Sequence, residues 1–184
     1  GVLGQTGLGV KITSLILSLS GSSIWPALLL TALACLILGM EVPTTAAYVI
    51  CISVAGPALQ SLGVPILQAH LFVFWFALLS TITPPVCGAV FISAGMVEED
   101  WLKVAVKAMA LGIGLYVIPV AMIANPELIK LGSTPVTSIL VTMKIGIGLA
   151  AISFGIIAPK QALFRAILIL IGTVFLFLPF NNVS

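Results

Sequence analysis

Charge is what this sequence is short of. Charged residues make up 7% of its 184 positions, where a soluble globular domain carries about 25%. So few charges do not cover a water-facing surface. With hydrophobic residues at 61% and a mean hydropathy of +1.33, lipid is the remaining solvent. The net charge of +2, from seven Lys and Arg against five Asp and Glu, is too small and too scattered for nucleic-acid binding. Three cysteines, Cys35, Cys51 and Cys87, sit inside apolar runs with no CxxC or Cys/His spacing, and read as small buried hydrophobes. No Ser/His/Asp or metalloprotease constellation is present, and an intramembrane enzyme would need polar residues this chain mostly lacks. The chain opens on Gly1 with no charged segment and cleavage site ahead of the apolar runs. The expectation is therefore no signal peptide and a fragment that starts mid-protein, its end at Asn181, Asn182, Val183 and Ser184 being another cut.

What is present is a series of apolar runs near the ~20 residues that a helix needs to cross a bilayer. Val104–Ala124, Val136–Ala158 and Ala162–Pro179 fit simple spans. Short polar joints separate them, Asn125-Pro126-Glu127 with Gly132-Ser133-Thr134-Pro135, then Ala158-Pro159-Lys160-Gln161. Small residues four apart, at Ala108/Gly112, Gly146/Ala150 and Ala151/Gly155, suggest faces for close helix approach. Gly146-x-Gly148 follows no strand and is no nucleotide loop.

The first half reads differently. Ile24–Met40 is apolar but stops at Gly39-Met40-Glu41-Val42-Pro43-Thr44-Thr45, and a second run, Ala46–Leu59, follows at once. Both are short for a crossing, so the pair reads as a re-entrant hairpin. Gln60–Gln68, with Gly63 and Pro65, is the next joint. Ala69–Val97 is too long for one simple helix and is interrupted at Ser80-Thr81-Ile82-Thr83-Pro84-Pro85. Proline removes backbone donors and disrupts the helix around it. Two half-helices, His70–Leu79 and Val86–Gly95, are expected. Glu98-Glu99-Asp100-Trp101 marks the exit to water, with Trp101 suited to the interface. If the chain alternates from there, Lys103, Lys107, Lys160 and Arg165 share the cytoplasmic side, and Lys130 and Lys11 the other. Lys144 falls inside a span and either snorkels or faces the bundle interior.

The two interruptions are where chemistry could sit. An unpaired backbone group costs several kcal/mol in hydrocarbon, so broken helices persist where protein, water or ligand satisfies them. Half-helix N-termini offer N–H donors and partial positive charge to an anion; carbonyls at half-helix C-termini suit Na⁺. The candidate residues are Gly39, Met40, Glu41, Pro43, Thr44 and Thr45 at the tip, with Ser80, Thr81, Thr83, Pro84 and Pro85 at the break. Na⁺ is placed at Gly39, Thr44 and Thr83, with no other cofactor. The bland alternative is that Pro and Gly merely kink two ordinary spans. Glu41, the only acid before Glu98, either binds a cation, carries a proton, or is solvated in a wet cavity. His70 reads as an interface residue rather than a proton relay. Trp25 and Trp75 read as interface or packing residues, and Phe72, Phe74 and Phe76 as lipid or core contacts.

Three stretches together, Gly39-Met40-Glu41-Val42-Pro43-Thr44-Thr45-Ala46-Ala47-Tyr48, Ala69-His70-Leu71-Phe72-Val73-Phe74 and Ile82-Thr83-Pro84-Pro85-Val86, resemble the large membrane subunit of TRAP transporters, DctM-like, with the fused permease of the TAXI type as the nearest likeness. The resemblance runs from about Gly4 to Leu131 and more loosely through the last two helices. It implies a multi-pass protein of a prokaryotic inner membrane, half of an inverted-repeat elevator. It further implies uptake of a small organic anion such as a carboxylate, delivered by an extracytoplasmic solute-binding protein and usually driven by Na⁺ symport. On that likeness Ile24–Leu59 is the second hairpin and Ala69–Val97 the second broken helix, the N-terminal half of the permease lying upstream. The family commonly has Gly where this chain has Glu41, which leaves proton coupling or an altered cation site open.

The fold expectation is thus all-α, a polytopic transmembrane bundle with a re-entrant hairpin and a discontinuous helix. Residues 1–184 form a single membrane region: 1–97 with hairpin and break, 98–135 a connecting segment and span, 136–184 two final spans. Lipid, the binding protein, the permease's other half and the anion are the expected partners; nucleic acid is not. A channel module would want a ring-forming polar motif, and a structural or assembly subunit has no need of two apposed breaks.

Overall fold

A computed structural model describes residues 7–21, 23–40, 42–130, 132–157 and 162–177. Glu41, the 158–161 joint with Lys160, and the final residues 178–184 lie outside the described residues. Every regular element described is helical: α1 (Leu8–Ser20), α2 (Ile24–Leu38), α3 (Thr44–Ser61), α4 (Ile66–Leu79), α5 (Gly88–Val97), α6 (Trp101–Leu111), α7 (Ile113–Ala124), a short 3₁₀ turn (Pro126–Ile129), α8 (Pro135–Ile157) and α9 (Ala162–Phe177). The chain divides into two compact units, Gly1–Ala105 and Val106–Ser184.

In the first unit, α2 and α3 are the two arms of a hairpin joined by residues 39–43. Ala27, Leu28, Thr31, Ala32 and Cys35 line the buried side of α2, while Leu29, Leu33 and Ile37 are exposed. An apolar helix that leaves large aliphatic side chains uncovered suits lipid rather than water. The far arm carries Pro57, which has no N–H to give the Ser53 carbonyl. There α1 closes in. A Cβ at Gly9 would lie 3.7 Å from the Ser53 carbonyl oxygen, and Thr13 Oγ1 donates to the Val54 carbonyl at 2.6 Å. Helix α4 starts at Ile66, earlier than the expected His70, because Pro65 with its fixed φ stands at the N-cap. Gln68, expected in the joint, is a buried residue of α4. After the break, α5 starts at Gly88 rather than Val86, since the Pro84-Pro85 pair and the extended Cys87 hold the chain out of helix. Asp100 Oδ1 accepts from the N–H groups of Leu102 and Lys103, at 2.9 and 3.2 Å, which caps α6, and Trp101 packs on Phe91 with ring centroids 4.9 Å apart.

In the second unit, the stretch expected as a single span, Val104–Ala124, is divided. Helices α6 and α7 meet at Gly112 with a 43° bend, at a residue whose missing Cβ weakens helix. Among the described residues Pro135–Ile157 is the one helix long and apolar enough to cross a membrane, or one of two if the bent pair counts as a span. Helices α8 and α9 pack through glycine, at the expected Gly155 and also at Gly148 and Gly172, but not at the expected Gly146. A Cβ at Gly172 would lie 2.7 Å from the Gly148 carbonyl oxygen, and one at Gly155 3.1 Å from that of Arg165, whereas one at Gly146 would meet nothing within 4 Å. Gly148 and Gly155 lie two turns apart on one face, and Gly146 points away from it. Arg165 closes the end of α8: Nε donates to Gly155 O at 2.9 Å and Nη2 to Ile156 O at 3.0 Å. Lys144 faces inward, 8% exposed, and Nζ donates to Asn125 Oδ1 at 3.3 Å.

Candidate functional site

The hairpin tip is built by two helix ends. Helix α2 stops as the Gly39 N–H reaches the Cys35 carbonyl at 2.9 Å, and the chain turns through Met40 to Pro43. Pro43, in extended conformation, then starts α3. Proline has no side-chain oxygen, so among the described residues no side-chain cap closes the first turn of α3. The N–H groups of that turn have no intrahelical acceptor. Thr44 is half-buried in this turn, Thr45 and Pro43 are exposed, and Met40 is half-buried.

The break starts from the end of α4. Its hydroxyls turn back on the last helical carbonyls: Ser80 Oγ donates to Ala77 O at 2.7 Å, Thr81 Oγ1 to Leu78 O at 2.9 Å, and Thr83 Oγ1 to Leu79 O at 2.6 Å. The expectation that this C-terminus offers bare carbonyls is therefore modified, since three carry a hydroxyl proton. Leu78 O and Leu79 O accept in addition from the N–H groups of Thr81 and Ile82, at 3.3 and 3.1 Å. Pro84 is half-buried and Pro85 exposed. Beyond them α5 starts with no side-chain cap at Cys87, a second helix N-terminus with donors to offer.

Tip and break are packed on each other. Ser80 Oγ, fully buried, lies 2.9 Å from the Gly39 carbonyl oxygen. One hydroxyl proton serves both Gly39 O and Ala77 O, and Gly39 O also accepts from the Val42 N–H at 3.4 Å. The approach requires glycine. A Cβ at Gly39 would sit 2.6 Å from Ser80 Oγ and 3.0 Å from both Ser80 Cβ and Cys35 O. Two C-termini, of α2 and α4, are thereby fixed side by side, and each is followed by a helix that starts without a side-chain cap.

Of the residues expected at the site, Gly39 and Ser80 are in direct contact. Met40 and Pro43 follow in the tip, Thr44 and Thr45 in the first turn of α3, and Thr81, Thr83, Pro84 and Pro85 in the break. One tie is absent from the expectations. Tyr48 Oη and His70 Nδ1 are 2.6 Å apart, so His70 is held against the hairpin. Tyr48 closes the ten-residue tip stretch, but nothing in the spacing of a tyrosine and a histidine 22 residues apart announces that they meet.

The sequence matches the family described as Tripartite ATP-independent periplasmic transporter, DctM component, over residues 1–137. The matched stretch takes in both hairpin and break and ends within the first turn of α8. No curated protein and no solved structure matches the chain.

Proposed function

The chain belongs to the family of the DctM component of tripartite ATP-independent periplasmic transporters, a transporter permease component rather than an enzyme, and from that premise we propose that it takes part in ion-coupled uptake of a small organic anion. Transporters of this family work in the inner membrane with a solute-binding protein and a small permease. The finer reading is a multi-pass chain of the TAXI type that works as an elevator, with Na⁺ as coupling ion and a carboxylate as cargo.

The observation that supports this reading is the contact of Gly39 with Ser80, 2.9 Å from carbonyl oxygen to hydroxyl. It joins the two interruptions directly. The uncapped N-termini of α3 and α5 supply N–H donors and positive potential for a carboxylate. Thr44, Thr45, Ser80, Thr81 and Thr83 add hydroxyls. The hard cation is assigned in this reading to Gly39 O with the hydroxyls of Thr44 and Thr83, oxygen donors of the kind it prefers. We assign Glu41, two residues after Gly39 in the sequence, to cation coupling, through its carboxylate or a proton it carries.

The test is uptake into proteoliposomes by the permease with its solute-binding protein, run with and without an inward Na⁺ gradient. Uptake that depends on both is expected. Uptake indifferent to the Na⁺ gradient overturns Na⁺ coupling, and passive flux without the binding protein overturns the delivery scheme. Glu41→Gln is expected to shift the Na⁺ or pH dependence of uptake. If both dependences are unaltered, Glu41 has no part in coupling.

A further inference from the structure

The tip stretch, from Gly39 into the first turns of α3, is held at both ends by the same helix. At its near end Ser80, just past α4, holds Gly39. At its far end α4 holds Tyr48: the hydroxyl lies 2.6 Å from His70 Nδ1, and the ring stands edge-on to Phe74 with centroids 5.8 Å apart at 81°. His70 and Phe74 are four residues apart and present one face of α4. Tyr48 is likewise four residues beyond Thr44 and shares its face of α3. Residues 40–47, with Met40, Pro43, Thr44 and Thr45, therefore lie between two anchors. The hydroxyl donates to Nδ1 when the imidazole proton is on Nε2, and accepts when it is on Nδ1. The tie is made in either tautomer.

We propose that Tyr48 and His70 are positioning residues, whose hydrogen bond fixes the first turn of α3 and so aims its N–H groups and Thr44 at the solute. This rests on the reading of that turn as part of the anion site. The geometry carries it. The polar tie joins two helices one turn behind the uncapped N-terminus, where a lost anchor releases the turn but leaves the buried side of the hairpin, Ala47 and Cys51, packed.

The experiment has two arms, both on the reconstituted permease. In the first, Thr45→Cys is labelled with a membrane-impermeant maleimide. Position 45 is exposed, and the three native thiols are buried, so the rate reads the tip. Tyr48→Phe removes one oxygen, and labelling should quicken about five-fold, the local opening expected of one lost hydrogen bond. His70→Leu should give the same rate, and the double variant should be no faster than either single one. His70→Asn, whose amide oxygen takes the place of Nδ1, should restore the rate to within about two-fold of the parent. A rate unchanged in Tyr48→Phe, additive singles, or no rescue by His70→Asn each overturn the proposal. In the second arm, with Thr45 intact, Tyr48→Phe should raise the solute KM several-fold with a smaller fall in kcat, and His70→Asn should recover it. If labelling responds as expected and KM does not, the positioning tie stands and the assignment of the α3 N-terminus to the solute falls.

Discussion

Thr31 carries a buried hydroxyl with no hydrogen-bond partner among the described residues, while its surroundings on α2 are apolar. A buried polar group left unpaired costs about 1–3 kcal/mol. Thr31→Val keeps the shape and removes the oxygen, so thermal unfolding in detergent should shift upward, by about 1 kcal/mol of stability. A downward shift would show that the hydroxyl is engaged. Gly39 presents the opposite case, an absence that is required. A methyl there would lie 2.6 Å from Ser80 Oγ and 3.0 Å from the Cys35 carbonyl. Gly39→Ala should lower uptake at least tenfold, whereas Ser80→Ala, which loses a hydrogen bond without adding bulk, should cost less. Equal uptake by Gly39→Ala and the parent would mean that the tip does not need this approach.

At the scale of elements, α8 and α9 are joined by backbone contact that only glycine allows. Gly172→Ala would place its methyl 2.7 Å from the Gly148 carbonyl oxygen, a clash with main chain that cannot swing aside, and should cost about 2 kcal/mol. Gly146→Ala meets open space and should be neutral or slightly stabilising through helix propensity. Thermal unfolding of the two variants side by side checks the contrast. Asn125 joins three helices: Nδ2 donates to Ala121 O at the end of α7 and to Leu176 O of α9, both at 3.1 Å, while Oδ1 accepts from Lys144 of α8 at 3.3 Å. Asn125→Leu takes one acceptor from a buried ammonium and should destabilise the unit by about 3 kcal/mol. Adding Lys144→Met should recover most of that loss, because the charge that needed the acceptor is gone. A double variant no more stable than Asn125→Leu alone would place the cost in the α7 and α9 contacts instead.

For the molecule as a whole, the exposed apolar side chains say which solvent it meets. Met96, Leu163, Phe154 and Ile92 are 81, 75, 70 and 69% exposed, on α5, α9, α8 and α5. In water such surfaces aggregate; in lipid they are at rest. The chain should stay in the membrane pellet through an alkaline carbonate wash and leave it only with detergent. Release by carbonate alone would contradict integral insertion. The surface ion pair of Lys103 and Glu99, 3.7 Å apart and largely exposed, contributes little to this.

The sequence alone determined the solvent, the helical class and the two places where helices stop. These follow from local rules: scarcity of charge, run length, and the backbone donors that Pro43, Pro84 and Pro85 lack. It also placed Gly39 and Ser80 among the site residues. What it left undecided was which residues meet. Tertiary structure alone set Gly39 against Ser80 and Tyr48 against His70, put Lys144 inside rather than at an interface, chose Gly148 over Gly146, and bent the expected span at Gly112. The physical reason is the same throughout. Composition and proline act within a turn of chain, whereas a contact between separate helices depends on their crossing and rotation, which no single segment encodes.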